Sequence, residues 1–362
     1  MIWAVVKDPG GTNATVRVVN ELRALGKEVK LFSNGKAAEI LTERGMEHTA
    51  NPSAVSILEA VFSEGKRPEL ILTSMCSQGG LGKYLVPLAW HHDIATVAVQ
   101  DFWGARLKTD YCDSQFWPDR IIVPDEVGKR LVLESWGDYG EENVCVSGWV
   151  AFDSLATFDC AAAGEKVRKR FGLVKPWPIV GFFGHPDGNA ETAHEVVRAL
   201  NENADPVYFF PRWHPRASTD DAADHERTKT EVLAFSSGER IETNSISSKE
   251  LTTDDIVGAS KVVVSIFSTT LVQAAHLGKE VVSVLYPQYG MRRWHEITKL
   301  EGFPLTDLGC SALVGEYDGL RRTLRGAITD TLGLGDAQRR LLPTDGRSAR
   351  RAAAYVLDML RR

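Results

Sequence analysis

Twice along the chain a short apolar run enters a polar, glycine-bearing loop and leaves it as a segment with helical spacing. That alternation restricts the fold more than any other feature. In the first half Ile2–Lys7 reads as a buried strand, Asp8–Asn13 (DPGGTN) as a turn, and Ala14–Leu25 as a helix stopped by Gly26. Val29–Ser33, a helix over Ala37–Arg44, Leu70–Thr73, a polar loop SMCSQGG, an amphipathic stretch through Trp90, Thr96–Gln100 and Arg120–Pro124 follow. The second half repeats the plan with Pro178–Phe183, the loop GHPDGN, a helix over Ala190–Leu200, Pro206–Phe210, Val262–Ser265, a helix over Leu271–Leu277, and Glu280–Leu285. Short apolar strands separated by helices predict βαβ units and parallel sheets. The expected organisation is an α/β chain of two tandem Rossmann-like domains, 1–155 and 178–345. A charged, Ala-rich connection over 156–177 joins them, and a terminal helix over 346–362 packs back on the first domain. A single very large sheet is the competing reading, disfavoured by ordinary domain sizes.

Charge and composition remove several classes of function. A net charge of −6 and a pI near 5.9 argue against nucleic-acid binding driven by phosphate attraction. The five cysteines (Cys76, Cys112, Cys145, Cys160, Cys310) are scattered and lack metal-ligand spacing, which predicts a reducing compartment, no structural zinc and no metal site. The apolar start of the chain is too short for a signal peptide, and no run approaches the ~18 apolar residues of a membrane helix. A cytoplasmic protein is expected. Seven arginines after Gln338, around the helix Ser348–Leu360, leave open a peripheral contact at the inner membrane face.

Five loops at strand exits carry the chemistry. Asp8, Gly10, Gly11, Thr12 and Asn13 precede a helix start, where glycines let a ligand approach and free N–H groups favour an anion; a tight turn with an N-cap at Thr12 or Asn13 accounts for the same residues. Neither GxGxxG nor GxxxxGK[ST] is present, so classical NAD binding and P-loop hydrolysis are unsupported. Gly184 and His185 open the equivalent loop of the second half. Arg212, His214 and Arg216, in PRWHPR, form the local positive cluster an anion site needs. Ser268, Thr269 and Thr270 lead into a helix; capping explains one hydroxyl, and three in succession suggest a phosphate or sugar. Asp101, in QDFWG, is placed for general-base work, with capping of the next turn as the plainer role.

Taken in order, these motifs resemble the GT-B glycosyltransferase superfamily over nearly the whole chain, near CDP-glycerol glycerophosphotransferases, capsule polysialyltransferases and UDP-GlcNAc 2-epimerases. The carriers are DPGGTN, VAVQDFWGARL, PDRIIVPDEVGKRLVLESWG, WHPR, SIFSTTLVQAAHLGKEVVSVLYP and the terminal DGRSARRAAAYVL. The resemblance implies two Rossmann-like domains facing a cleft, with His214, Arg216, Ser268, Thr269 and Thr270 on the nucleotide and phosphates of a donor. The acidic residue that often holds a ribose in the helix after the serine motif is Gln273 here, a weaker partner for a diol. Carboxylates at Asp110, Asp113 and Asp125/Glu126 lack the spacing of an epimerase set. The expected activity is metal-independent transfer of a sugar or related group from a nucleotide-sugar co-substrate to a hydroxyl acceptor, a saccharide or lipid-linked saccharide of the cell surface. Asp101 and His214 are the catalytic candidates, and no cofactor is expected. A non-hydrolysing UDP-GlcNAc 2-epimerase-like enzyme and a non-catalytic nucleotide-sugar-binding protein are the alternatives.

Overall fold

The computed structural model describes residues 1–51, 67–75, 80–104, 106–185, 189–203, 205–212, 231–235, 240–242, 251–342 and 344–361. The chain divides into two compact units. The first is Met1–Ala156 with Ile297–Lys299 and Thr344–Arg362; the second is Thr157–Glu296 with Leu300–Pro343.

The first unit is built on seven strands: β1 (Ile2–Val6), β2 (Val29–Ser33), β3 (Thr49–Ala50), β4 (Leu70–Ser74), β5 (Ala95–Val99), β6 (Arg120–Val123) and β7 (Val144–Val146). Their order is β3-β2-β1-β4-β5-β6-β7 and every pairing is parallel. All residues of β1, β4 and β6 are buried, because helices cover both faces of such a sheet and leave no side for polar alternation. On one face lie Val18, Val19 and Leu22 of the helix Pro9–Ala24, with Ala352, Ala353 and Val356 of the terminal helix Ser348–Met359. On the other, Trp3 sets its ring edge against Phe32 at 5.2 Å, beside Ile71 and Leu85. The strand order reverses between β1 and β4, and ligands of such sheets bind beyond the carboxyl ends of the strands at that point.

One expectation changes here. Asp8–Asn13 is not a turn: Asp8 is the extended N-cap, Pro9 opens the helix, and Gly10 and Gly11 lie in its first turn. Proline favours that position because its missing N–H would find no helical partner there. The glycines are required by close packing against Asp101 and Ser74 rather than by a turn.

The terminal helix is docked by its own loop. Asp153 accepts the N–H groups of Ser348 at 2.9 Å and Ala349 at 2.8 Å, and Arg351 Nε donates to the carbonyl of Ser147 at 2.6 Å. Asp345 pairs with Arg351, and Gly346 turns at φ +68° against the carbonyl of Asp153. The apolar side of this helix is thus committed to the protein core. Asp153→Ala removes the acceptor for two helix N–H groups, and urea unfolding should register a loss of about 1–2 kcal/mol in the first unit. Unchanged stability would mean that apolar contact alone holds the helix.

The second unit contains β8 (Ile179–Phe183), β9 (Val207–Arg212), β10 (Glu231–Phe235), β11 (Arg240–Glu242), β12 (Val262–Ser265), β13 (Glu280–Val284) and β14 (Ala312–Val314), in the order β11-β10-β9-β8-β12-β13-β14. The five strands from β9 to β14 in that order pair in parallel, and β10 and β11 add an antiparallel edge. Strand β9 runs two residues past the expected Phe210. Pro211 is tolerated because β10 pairs only with Val207–Phe209, so no ladder bond is needed on that side of Pro211. Residues 156–177 hold the helix Cys160–Phe171, which packs on the helix Thr253–Ala259 within this unit. Among the described residues no helix is long and apolar enough to cross a membrane.

Candidate functional site

In the first unit the chain exits of β1, β4 and β5 converge on the start of the helix Pro9–Ala24. A Cβ added to Gly10 would lie 2.0 Å from Asp101 Oδ2, and one added to Gly11 would lie 2.6 Å from Ser74 Cβ. The glycine pair therefore admits Asp101 and Ser74 against the first helical turn. Asp101 keeps part of its surface open, yet its carboxyl is ringed by protein atoms. That desolvation pushes its pKa up to about 7, its own backbone N–H opposes the rise, and the charge of Asp8 adds to it. A carboxylic acid that ionises near neutrality is matched to accepting or delivering a proton. The same two carboxylates make this helix start unfavourable for a phosphate, since the protein's own negative groups already face it.

The DFWG segment fixes that arrangement. Trp103, fully buried, donates Nε1–H to both oxygens of Asp125 at 2.8 and 2.9 Å, and Asp125 also accepts the Gly128 N–H as N-cap of the helix Glu126–Ser135. Gly104 turns the chain at φ +59°. Asp125 is thus a structural cap, with its pKa raised by burial. Asp113 caps a short 3-10 turn, Asp110 pairs with Arg106 at 3.5 Å, and Glu126 is exposed. None of these joins Asp101. Thr12 donates to the carbonyl of Asp8 at 2.7 Å, and Asn13 accepts from Arg44, the C-cap of the helix Lys36–Glu43, at 2.6 Å.

In the second unit the strand order reverses between β8 and β12. Ser265 Oγ donates to the Phe183 carbonyl at 2.6 Å and ties the two strands where they end. His185 rests on Phe267 with ring centroids 4.3 Å apart, and Phe267 meets Trp294 at 5.3 Å. Gly184 donates its N–H to the carbonyl of Arg212 at 2.8 Å. Ser268 is the N-cap of the helix Thr269–His276, its Oγ accepting the Thr270 N–H at 3.1 Å. Among the described residues no protein group bonds the hydroxyls of Thr269 and Thr270.

Arg212 occupies the last position of β9. Burial pushes its pKa down and the nearby Asp254 charge opposes that. A partly desolvated guanidinium makes charge-assisted hydrogen bonds to an anion that are stronger than those of a neutral donor. Gln273 is buried on the helix Thr269–His276, and its Nε2 donates to Asp254 Oδ1 at 2.7 Å. Asp254 was not singled out in the sequence: it adjoins Asp255, whose spacing from Thr252 is a capping signal, and that cap forms. His214 and Arg216 lie outside the described residues.

No family model and no curated protein matches the chain. Solved structures do. MnaA of S. aureus in complex with UDP aligns with a TM-score of 0.70 at 13% identity, over 99% of this chain and 96% of that one. The UDP-GlcNAc 2-epimerase of Neisseria meningitidis bound to UDP-GlcNAc aligns at 0.65 and 14%, over 99% of both chains. The wall teichoic acid polymerase TagF aligns at 0.62 and 10%, over 99% of this chain and 89% of that one. With two Rossmann-like units and these likenesses over nearly its full length, the chain has the GT-B fold, the fold of UDP-GlcNAc 2-epimerases and GT-B glycosyltransferases.

Proposed function

We propose that the protein transfers a sugar or related group from a nucleotide-activated donor to a hydroxyl acceptor, with a cell-surface saccharide or lipid-linked saccharide as the acceptor class. The observation that carries this reading is Asp101, a desolvated carboxyl that ionises near pH 7 against the glycines of the first helix. It takes the acceptor proton as the hydroxyl attacks the donor carbon and the nucleotide phosphate leaves. Arg212 and the start of the helix Thr269–His276, with the hydroxyls of Thr269 and Thr270, receive the charge that develops on that phosphate. His214 and Arg216 are assigned to the same phosphate by their place in the PRWHPR segment.

A thermal-shift panel of UDP-, GDP-, CMP-, CDP- and dTDP-linked sugars tests the reading. One nucleotide family should raise the unfolding midpoint through binding to the folded state. Arg212→Ala should weaken that family's binding about 10–100-fold, as loss of a charge-assisted contact of about 1.5–3 kcal/mol requires. A flat panel would refute it.

Epimerisation is the second reading, favoured by the likeness to the UDP-GlcNAc 2-epimerase of Neisseria meningitidis, because a carboxyl of this kind also serves proton abstraction from a sugar carbon. It needs no acceptor. Release of epimer from UDP-GlcNAc alone would support it, and turnover only in the presence of an acceptor would exclude it.

A further inference from the structure

We infer that the second unit carries a further binding site, at the end of its sheet opposite the proposed donor site, for a small phosphate ester bearing hydroxyls. Arg168 and Lys279 hold the phosphate, and Asp205 accepts from the hydroxyls. The inference goes beyond the donor reading and stands without it.

Three observations carry it. First, a cavity of about 680 Å³ is lined by Pro178, Lys261 and Lys279, the residues that immediately precede β8, β12 and β13. Its volume suits a small ligand. These strands are parallel, so their starts share one end of the sheet, whereas Arg212 and Thr269 lie at or beyond strand ends on the other. At about 3.3 Å per residue, strands of 4 or 5 residues set the two ends about 13–17 Å apart.

Second, two cations line this cavity with only neutral partners. Arg168, in the last turn of the helix Cys160–Phe171, donates to the carbonyls of Lys175 at 2.9 Å and Trp177 at 2.7 Å. Lys279 Nζ donates to the carbonyl of Gly258 at 2.6 Å and lies beside the Cys160 thiol. Among the described residues neither cation pairs with a carboxylate. Charges withdrawn from water are ordinarily paired. Burial pushes the Lys279 pKa down, and the Cys160 thiol opposes that. An anion beside such an ammonium gains more than it would beside one in open water. The neutral carbonyls fix both groups in place and leave each with N–H donors for a ligand. Lys261, the other cation of the lining, is already matched by Asp330 at 2.7 Å.

Third, Asp205 places a carboxylate in the same lining, and among the described residues no cation pairs with it. An apolar tail on the ligand would strip this group of water and give it no partner, which is costly. A second anionic group would be repelled. Hydroxyls satisfy it, so the phosphate is carried on a hydroxylated body.

Calorimetric titration of the full-length chain with ribose 5-phosphate, inorganic phosphate and ribose tests this. Ribose 5-phosphate should bind at one site, about tenfold more tightly than inorganic phosphate, and ribose should not bind. Lys279→Met, which keeps the bulk of the stem, and Arg168→Gln should each weaken ribose 5-phosphate about 10–100-fold, the scale of a lost charge-assisted bond. Asp205→Ala should reduce its advantage over inorganic phosphate to nothing. Arg212→Ala should leave all of this unchanged. A wild-type crystal soaked in ribose 5-phosphate gives a check free of any folding defect in the variants: phosphate density should lie between Arg168 and Lys279. No binding of ribose 5-phosphate by wild type, equal binding of ribose, affinity that either charge variant retains, or density only elsewhere overturns the inference. Binding lost in Arg212→Ala also overturns it, since the phosphate would then sit in the donor site. Equal affinity of wild type for ribose 5-phosphate and inorganic phosphate removes Asp205 from the site. A flat nucleotide panel beside intact ribose 5-phosphate binding would refute the donor reading alone.

Discussion

Asp101→Asn is expected to remove turnover by a factor of about 10²–10⁴, the usual contribution of a positioned proton acceptor, while making the first unit more stable at neutral pH. The two effects have one cause. A carboxyl with a pKa of about 7 in the folded chain, against about 4 when unfolded, binds a proton in the folded state over the interval between those values. The unfolded chain binds fewer protons there, so stability falls as pH rises from about 4 to about 7 and then levels off. The full penalty is on the order of 4 kcal/mol, from three pKa units at 1.36 kcal/mol each. Asparagine cannot ionise, so the variant should match wild type near pH 4 and unfold at higher denaturant near pH 8. Activity runs the other way with pH: wild-type kcat/KM should climb with unit slope to a plateau above pH ~7, where Asp101 is the base form. Denaturant curves at both pH values and a pH–rate profile check the pair. An inactive variant that is no more stable at pH 8 would assign Asp101 a role other than a desolvated base.

Gly10→Ala is expected to cost about a hundredfold in turnover although alanine is the better helix former by about 1 kcal/mol. The added methyl would stand 2.0 Å from Asp101 Oδ2, nearer than two such atoms can come, so the carboxylate must be pushed aside. A misplacement of that size at a reacting group carries a penalty of this order. Once displaced toward water, Asp101 should ionise more readily, and the midpoint of the pH–rate profile should move down from about 7. Retained activity with an unmoved midpoint would show that the carboxylate works from another position.

Much of this arrangement was legible before any coordinates. Val262–Ser265 is buried throughout because both faces of its sheet are covered, Val29–Ser33 is broken only by the exposed Lys30, and the bounds of both agree with the structure. Asp101 stood out because it follows such a run. What the sequence could not supply was its neighbour: Gly10 is 91 positions earlier, and only the β1-β4-β5 order brings the two together. The same glycines looked like a turn, since local reading knows their freedom and not the side chain that presses on them. Capping by Ser268 was visible in the hydroxyl-rich turn. Asp254 was not, because the Thr252-x-x-Asp255 signal accounts for that stretch unless the amide of Gln273, nineteen residues on, is known to reach it. The antiparallel pair β10 and β11 departs from the βαβ repeat that organised the rest, and nothing in that repeat announces it.

The most direct test of the donor reading is a crystal structure of the protein with the nucleoside diphosphate that binds best. Density for the phosphates should lie at the start of the helix Thr269–His276, within hydrogen-bond reach of Thr269, Thr270 and the Arg212 guanidinium. Phosphates found instead at the start of the helix Pro9–Ala24, beside Asp8 and Asp101, would contradict it.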